Sequence, residues 1–69
     1  MKAILTDRER EIFELLINNV DTKEIALDLN ISEKTVRNHI SNVICKLGVK
    51  GRAQAVIELL RCNELNFDL

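Results

Sequence analysis

Proline, tryptophan and tyrosine are absent from these 69 residues, and phenylalanine occurs twice, as Phe13 and Phe67. Glycine also occurs only twice, as Gly48 and Gly51. A β-sheet domain draws on aromatic residues and on Gly/Pro turns. The chain therefore points to helices joined by few sharp turns, around a core of Ile, Leu, Val and Ala. No apolar run approaches the roughly 20 residues of a membrane span. The start of the chain lacks the apolar stretch of about 7–15 residues that marks a secretory signal. No membrane partner and a cytoplasmic location are expected. Cysteine is scarce too: Cys45 and Cys62 stand with a single histidine, His39. They form no CxxC pair and no zinc spacing, so no metal is expected and both thiols are expected free.

What is present is ordinary globular composition. Hydrophobic residues make up 46% and charged residues 30%, which excludes disorder driven by low hydrophobicity and high net charge. The length allows one domain, residues 1–69, with a small core. No repeat, linker or low-complexity stretch divides it.

Net charge is −1, but it is unevenly spread. Residues 1–33 hold eight acids and four bases. Residues 34–57 hold five bases (Lys34, Arg37, Lys46, Lys50, Arg52) and no acid. Residues 58–69 hold three acids and one base. A basic block of this kind suits a surface facing phosphate; taken alone, a chance run on a solvated helix fits equally well.

Four helices follow from period and punctuation. Thr6 and Glu9 make a capping box for the first, whose Ile12, Phe13 and Leu16, followed by Val20, fall at helical spacing until Asn18-Asn19 ends it. Glu9, Glu11 and Glu14 read as a capping and solvated set. Asp21 or Thr22 caps a short second helix, with Glu24 the box partner of Asp21, and Ile25, Ala26 and Leu29 as the buried stripe. Asn30 stops it, since asparagine tolerates the left-handed conformation. Ser32 caps the third helix, which runs to Leu47 before Gly48. At ~100° per residue, Val36, Ile40, Val43, Ile44 and Leu47 share an arc of about 100°. Lys34, Asn38, Ser41 and Cys45 lie opposite. Arg37 flanks them on one edge, and Thr35, His39, Asn42 and Lys46 on the other.

The fourth helix, Arg52 to Cys62, carries two apolar stripes. Ala55, Leu59 and Cys62 form one; Ala53, Val56, Ile57 and Leu60 form the other. So small a core has little room for both. The second stripe is expected to meet a second copy of the chain, with Ala53, Gln54, Ile57, Leu60 and Arg61 as the dimer interface. Cys62 is expected in the core. Cys45 is expected to be inert on the polar strip, since nothing beyond Lys46 would lower its pKa.

Only Asn30, Ile31 and Ser32 join the second helix to the third, which is helix-turn-helix spacing. In that motif the second helix of the pair enters the major groove of double-stranded DNA. Arg37 is able to pair bidentately with guanine O6/N7, and Asn38 with adenine N6/N7. Lys34 and Ser41 complete the expected base-reading set. Thr22, Lys23, Ser32, Thr35, Asn42, Lys46, Lys50 and Arg52 suit phosphates, helped by the N–H groups at the helix start. His39 sits between the polar and core faces, where a phosphate contact and a structural role are equally open. No nucleophile, nucleotide loop or ligand cluster points to an enzyme. Neither a cofactor nor a small-molecule ligand is expected.

Four blocks add a resemblance. They are Leu5-Thr6-Asp7-Arg8-Glu9-Arg10-Glu11-Ile12, Thr22-Lys23-Glu24-Ile25-Ala26, Ile31-Ser32-Glu33-Lys34-Thr35-Val36-Arg37-Asn38-His39 and Lys46-Leu47-Gly48-Val49. In this order and spacing they resemble the LuxR/GerE-type helix-turn-helix family of bacterial transcription regulators, over nearly the whole chain. The resemblance implies an all-α, four-helix domain whose third helix recognises DNA and whose fourth dimerises. It implies base contacts at Arg37, Asn38, Ser41 and sometimes Lys34, and phosphate contacts at Thr22, Lys23, Thr35 and Lys46. Ser41 departs from the pattern, replacing a long basic residue found in some members. The start at Met1, just ahead of the first block, resembles the stand-alone members that regulate late sporulation and spore-coat genes. An output domain of a larger response regulator begins at much the same place. RNA polymerase is a further partner that transcription regulation implies. Two other readings remain: a sigma-factor-type promoter-reading domain, and a protein-interaction module built on the same helices. The run Asn38-His39-Ile40-Ser41-Asn42 with the two-faced fourth helix argues against the first. The basic block argues against the second.

Overall fold

The computed structural model describes residues 4–65, so residues 1–3 and 66–69 of the expected domain lie outside the described residues. Four helices follow one another: α1 (Asp7–Ile17), α2 (Thr22–Leu29), α3 (Glu33–Leu47) and α4 (Arg52–Arg61). The fold is all-α with a central helix-turn-helix. Among the described residues, no helix is long and apolar enough to cross a membrane.

Local chemistry sets the boundaries. The Thr6 hydroxyl accepts the Glu9 N–H at 3.1 Å, and the Glu9 carboxylate accepts the Thr6 N–H at 2.9 Å, the reciprocal box that starts α1. Val20 lies beyond the end of α1. It belongs to the turn, where its N–H reaches Leu15 O at 3.0 Å. Asp21, not Thr22, caps α2, accepting the Glu24 N–H at 2.9 Å. Ser32 caps α3 through the Thr35 N–H at 3.0 Å. Asn19, Asn30 and Asn63 take positive φ, as does Gly48 at +68°; these are left-handed corners that Asn and Gly tolerate best.

α3 is the central element and packs against each of the other three helices. The core is Leu5, Ile12, Phe13, Ile25, Ala26, Val36, Ile40, Val43, Ala55, Leu59 and Leu65. A fully buried Leu, Ile, Val or Phe contributes about 1.5–3 kcal/mol. Leu16, Leu29, Ile44 and Leu47, expected on the buried stripes, are half-buried at the margin of this core.

Two expectations change. Cys62 is exposed, not core. It is the C-cap of α4, so the helix stops before the stripe completes another turn. The chain turns at Asn63 (φ +59°) and Leu65 takes the buried place instead. Glu9 is not part of a solvated set: it is 5% exposed. Its carboxylate accepts the Lys46 ammonium at 2.7 Å, and that ammonium also reaches Ile4 O at 3.0 Å. Burial pushes the Glu9 carboxyl up. The Lys46 ammonium and the Thr6 N–H outweigh this and hold its pKa below the ordinary value of 4.5. This clamp joins the start of α1 to the end of α3.

A second staple joins the two ends of the described chain. The Arg10 guanidinium bonds Glu64 O through Nη1 and the Glu64 carboxylate through Nη2 at 3.2 Å.

Candidate nucleic-acid interface

One face of α3 is committed to the core through Val36, Ile40 and Val43. The other presents Lys34, Arg37, Asn38, Ser41, Asn42, Cys45 and Lys46 to solvent, with Thr35 and His39 half-buried at its edge. The four expected base-reading residues, Lys34, Arg37, Asn38 and Ser41, thus share one exposed strip. It stands opposite the side that α3 packs onto its neighbours. Its Lys, Arg, Asn and Ser side chains carry the kinds of donor that pair with base edges in a major groove.

The turn Asn30–Ser32 sets α2 against the start of α3. Ile31 N–H reaches back to Ala26 O at 3.0 Å, while Asn30 (φ +57°) reverses the chain. The Thr22 hydroxyl, at the start of α2, donates to Glu33 Oε1 at 3.2 Å. Thr22, and Lys23 next to it, expected to meet phosphates, are therefore brought to the N-terminal end of the exposed α3 strip, where Ser32 and Thr35 also lie. Ser32 Oγ already accepts the Thr35 N–H and lies 2.8 Å from Thr35 Oγ1. Thr22, at the start of α2, and Arg52, at the start of α4, line one open groove. Lys50 is exposed in the turn before α4.

The basic block is less uniform than its composition. Arg37 Nη1 pairs with Glu33 Oε1 at 3.3 Å, and Lys46 is held by Glu9. Both acids lie outside the acid-free segment. Among the described residues Lys23, Lys34, Lys50 and Arg52 have no ion-pair partner. Glu33 and Glu9 were not singled out as partners from sequence. The first is visible as a Glu–Arg pair four residues apart on one helix. The second spans 37 positions and has no local signature.

On α4, Ala55 and Leu59 are buried, while Ala53, Gln54, Ile57 and Arg61 are exposed and Leu60 is half-buried. Ile57 is 58% exposed. The second apolar stripe is therefore only partly covered: Val56 and Leu60 pack against the margin of the core, while Ala53 and Ile57 stay exposed. It borders a groove of about 770 Å³ whose other wall is Leu16, Ile17 and Val20, a contribution from α1 and its following turn that sequence did not indicate. Leu27, on α2, is 74% exposed. Among the described residues no group of His, Cys, Asp and Glu is arranged to hold a metal ion.

Comparison with known proteins agrees with this architecture. The family described as bacterial regulatory proteins, luxR family, matches residues 3–59. Spore germination protein GerE of Bacillus subtilis is 70% identical over 64 residues, 93% of this chain and 86% of that protein. Transcriptional regulatory protein DesR of the same organism is 52% identical over 52 residues, 75% of this chain but only 26% of DesR. A solved structure of the transcription factor GerE superposes with a TM-score of 0.94 at 63% identity, covering 97% of this chain and 100% of that one. The chain belongs to the luxR family of bacterial regulatory proteins.

Proposed function

We propose that this DNA-binding transcription regulator reads a pseudo-palindromic promoter site as a dimer, with α3 of each protomer in the major groove. The observation that carries the reading is the exposed strip Lys34, Arg37, Asn38 and Ser41, set opposite the buried Val36, Ile40 and Val43. Arg37 pairs with a guanine and Asn38 with an adenine; Lys34 and Ser41 extend the contact. Thr22, Lys23, Ser32, Thr35, His39, Asn42, Lys46, Lys50 and Arg52 face phosphates and fix register. Lys46 does so while tied to Glu9. The outer flank of α4, with exposed Ala53, Gln54, Ile57 and Arg61 and half-buried Leu60, closes the dimer. Its two-fold axis places half-sites about one helical turn apart. The work is binding in the cytoplasm, not catalysis, with RNA polymerase the partner downstream. Similarity to a spore germination protein over 86% of that protein's length supports a role at late sporulation and spore-coat genes.

Selection from a random duplex pool, followed by fluorescence anisotropy across a salt series, tests this reading. The expected winner is a pseudo-palindrome bound with strong salt dependence. Salt-dependent binding without sequence preference refutes sequence reading, and absence of binding at low salt refutes the interface. A second reading, the output portion of a longer response regulator, is favoured by the match to about a quarter of DesR. The mass of the polypeptide in the cell separates the two, since this chain alone is 7.9 kDa.

A further inference from the structure

Glu33 is an acid on the surface proposed to face phosphates. It occupies the first turn of α3, where a carboxylate is favoured by the helix dipole. That alone would leave it free to point anywhere. Instead one oxygen, Oε1, takes both the Thr22 hydroxyl at 3.2 Å and the Arg37 guanidinium at 3.3 Å through Nη1. Thr22 belongs to α2 and Arg37 to α3, so the carboxylate refers the arginine to both helices of the motif. Arginine offers five N–H donors in a rigid fork. With Nη1 on Glu33, the Nε–Nη2 edge is left for a bidentate partner.

We propose that Glu33 is a specificity-determining positioning residue that keeps Arg37 off the phosphates and presents its Nε–Nη2 edge to a guanine. The inference rests on the reading of Arg37 as a base contact. On unrelated DNA the paired guanidinium is partly offset by the carboxylate and adds less to backbone attraction. On the matched site the same pair persists and only the outer edge engages. Glu33 thus subtracts from non-specific binding without subtracting from recognition.

The test compares wild type, Glu33→Gln, Arg37→Ala and the double variant on the selected duplex and on a scrambled duplex of equal length. Affinity is read by anisotropy across a salt series, and circular dichroism checks helicity. Glutamine keeps the length and the Thr22 contact but loses the charge. Glu33→Gln is expected to tighten the scrambled duplex more than the selected one. The ratio of affinities falls about twofold, the scale of an exposed ion pair four residues apart on a helix. The salt slope on scrambled DNA steepens by about 0.9, one phosphate more. In the Arg37→Ala background the ratio does not respond to Glu33→Gln. Equal tightening on both duplexes overturns the proposal, because Glu33 then acts only through its overall field. A fall in the ratio that persists without Arg37 overturns it as well. A wild type that does not distinguish the duplexes removes the reading beneath it and the proposal with it, a failure visible before any variant is made.

Discussion

Replacing Lys46 with methionine removes an ammonium while keeping most of its stem. Glu9 is then a 5% exposed carboxylate whose remaining donor is the Thr6 N–H at 2.9 Å. Stranding a fully buried charge costs about 3–5 kcal/mol. The Lys46 side chain is 39% exposed, so water reaches the vacated position. The loss is then closer to that of one charged hydrogen bond, about 1.5–3 kcal/mol. We expect about 2 kcal/mol at neutral pH, within a total of about 3–10 kcal/mol for a domain of this size. With a urea m-value near ~1 kcal/mol/M, the midpoint falls by about 2 M. The pH dependence follows from the lowered pKa of Glu9. A carboxyl held low in the folded state stabilises it fully above the unfolded pKa. That stability is lost as pH falls through the folded value. The gap between wild type and Lys46→Met is therefore widest near neutrality and closes below about pH 4.5, the ordinary value. Adding Glu9→Gln to Lys46→Met recovers part of the loss, because no buried charge remains unpaired. A midpoint unchanged at pH 7, or a gap that stays constant through the acid range, refutes the clamp.

Arg37→Ala is expected to cost about 1–3 kcal/mol on the selected duplex and to relax preference at one base pair; equal losses on selected and scrambled DNA contradict the assignment. Ile57→Asp places a charge at the exposed edge of the α4 stripe and is expected to shift sedimentation from dimer to monomer with helicity retained; a variant that remains dimeric puts the interface elsewhere. Gly48→Ala meets no atom within 4 Å, but φ is +68°. Its cost is conformational, about 1 kcal/mol, and an unchanged or raised urea midpoint argues against that strain.

The helix boundaries were legible because their causes are local. Thr6 with Glu9, Ser32, Asn30 and Gly48 each act within a few residues, and each terminates or starts a helix as its chemistry dictates. The buried faces of α2 and α3 were legible for the same reason, since a period of 3.6 residues sorts Ile25, Ala26, Val36, Ile40 and Val43 inward. What escaped is what tertiary packing decides. Glu9 looked like a solvent-facing cap residue because its partner is 37 positions away. Cys62 looked buried because the wheel assumes that the helix continues. The α1 wall of the apolar groove depends on how the helices place Leu16 and Ile17 across from Ala53, Val56 and Ile57, which no single helix reveals. Of the proposed recognition strip, the exposure of Arg37 and Asn38 was readable from the wheel. The restraint of Arg37 by Glu33 was present in the spacing, and Thr22 joins it only when α2 folds back.

Three of the four left-handed corners among the described residues are asparagines, Asn19, Asn30 and Asn63, and only Gly48 is a glycine. The choice matters most in the unfolded chain. Glycine roams both halves of conformational space when free, so fixing it sacrifices the most entropy. Asparagine accepts the left-handed corner with modest strain and brings less freedom to surrender. This 69-residue chain has no proline to restrict its turns. Placing asparagine at three corners narrows its denatured ensemble at the points where the helices must reverse. The turns thus add to stability through the state the protein leaves, as well as through the contacts it makes on folding.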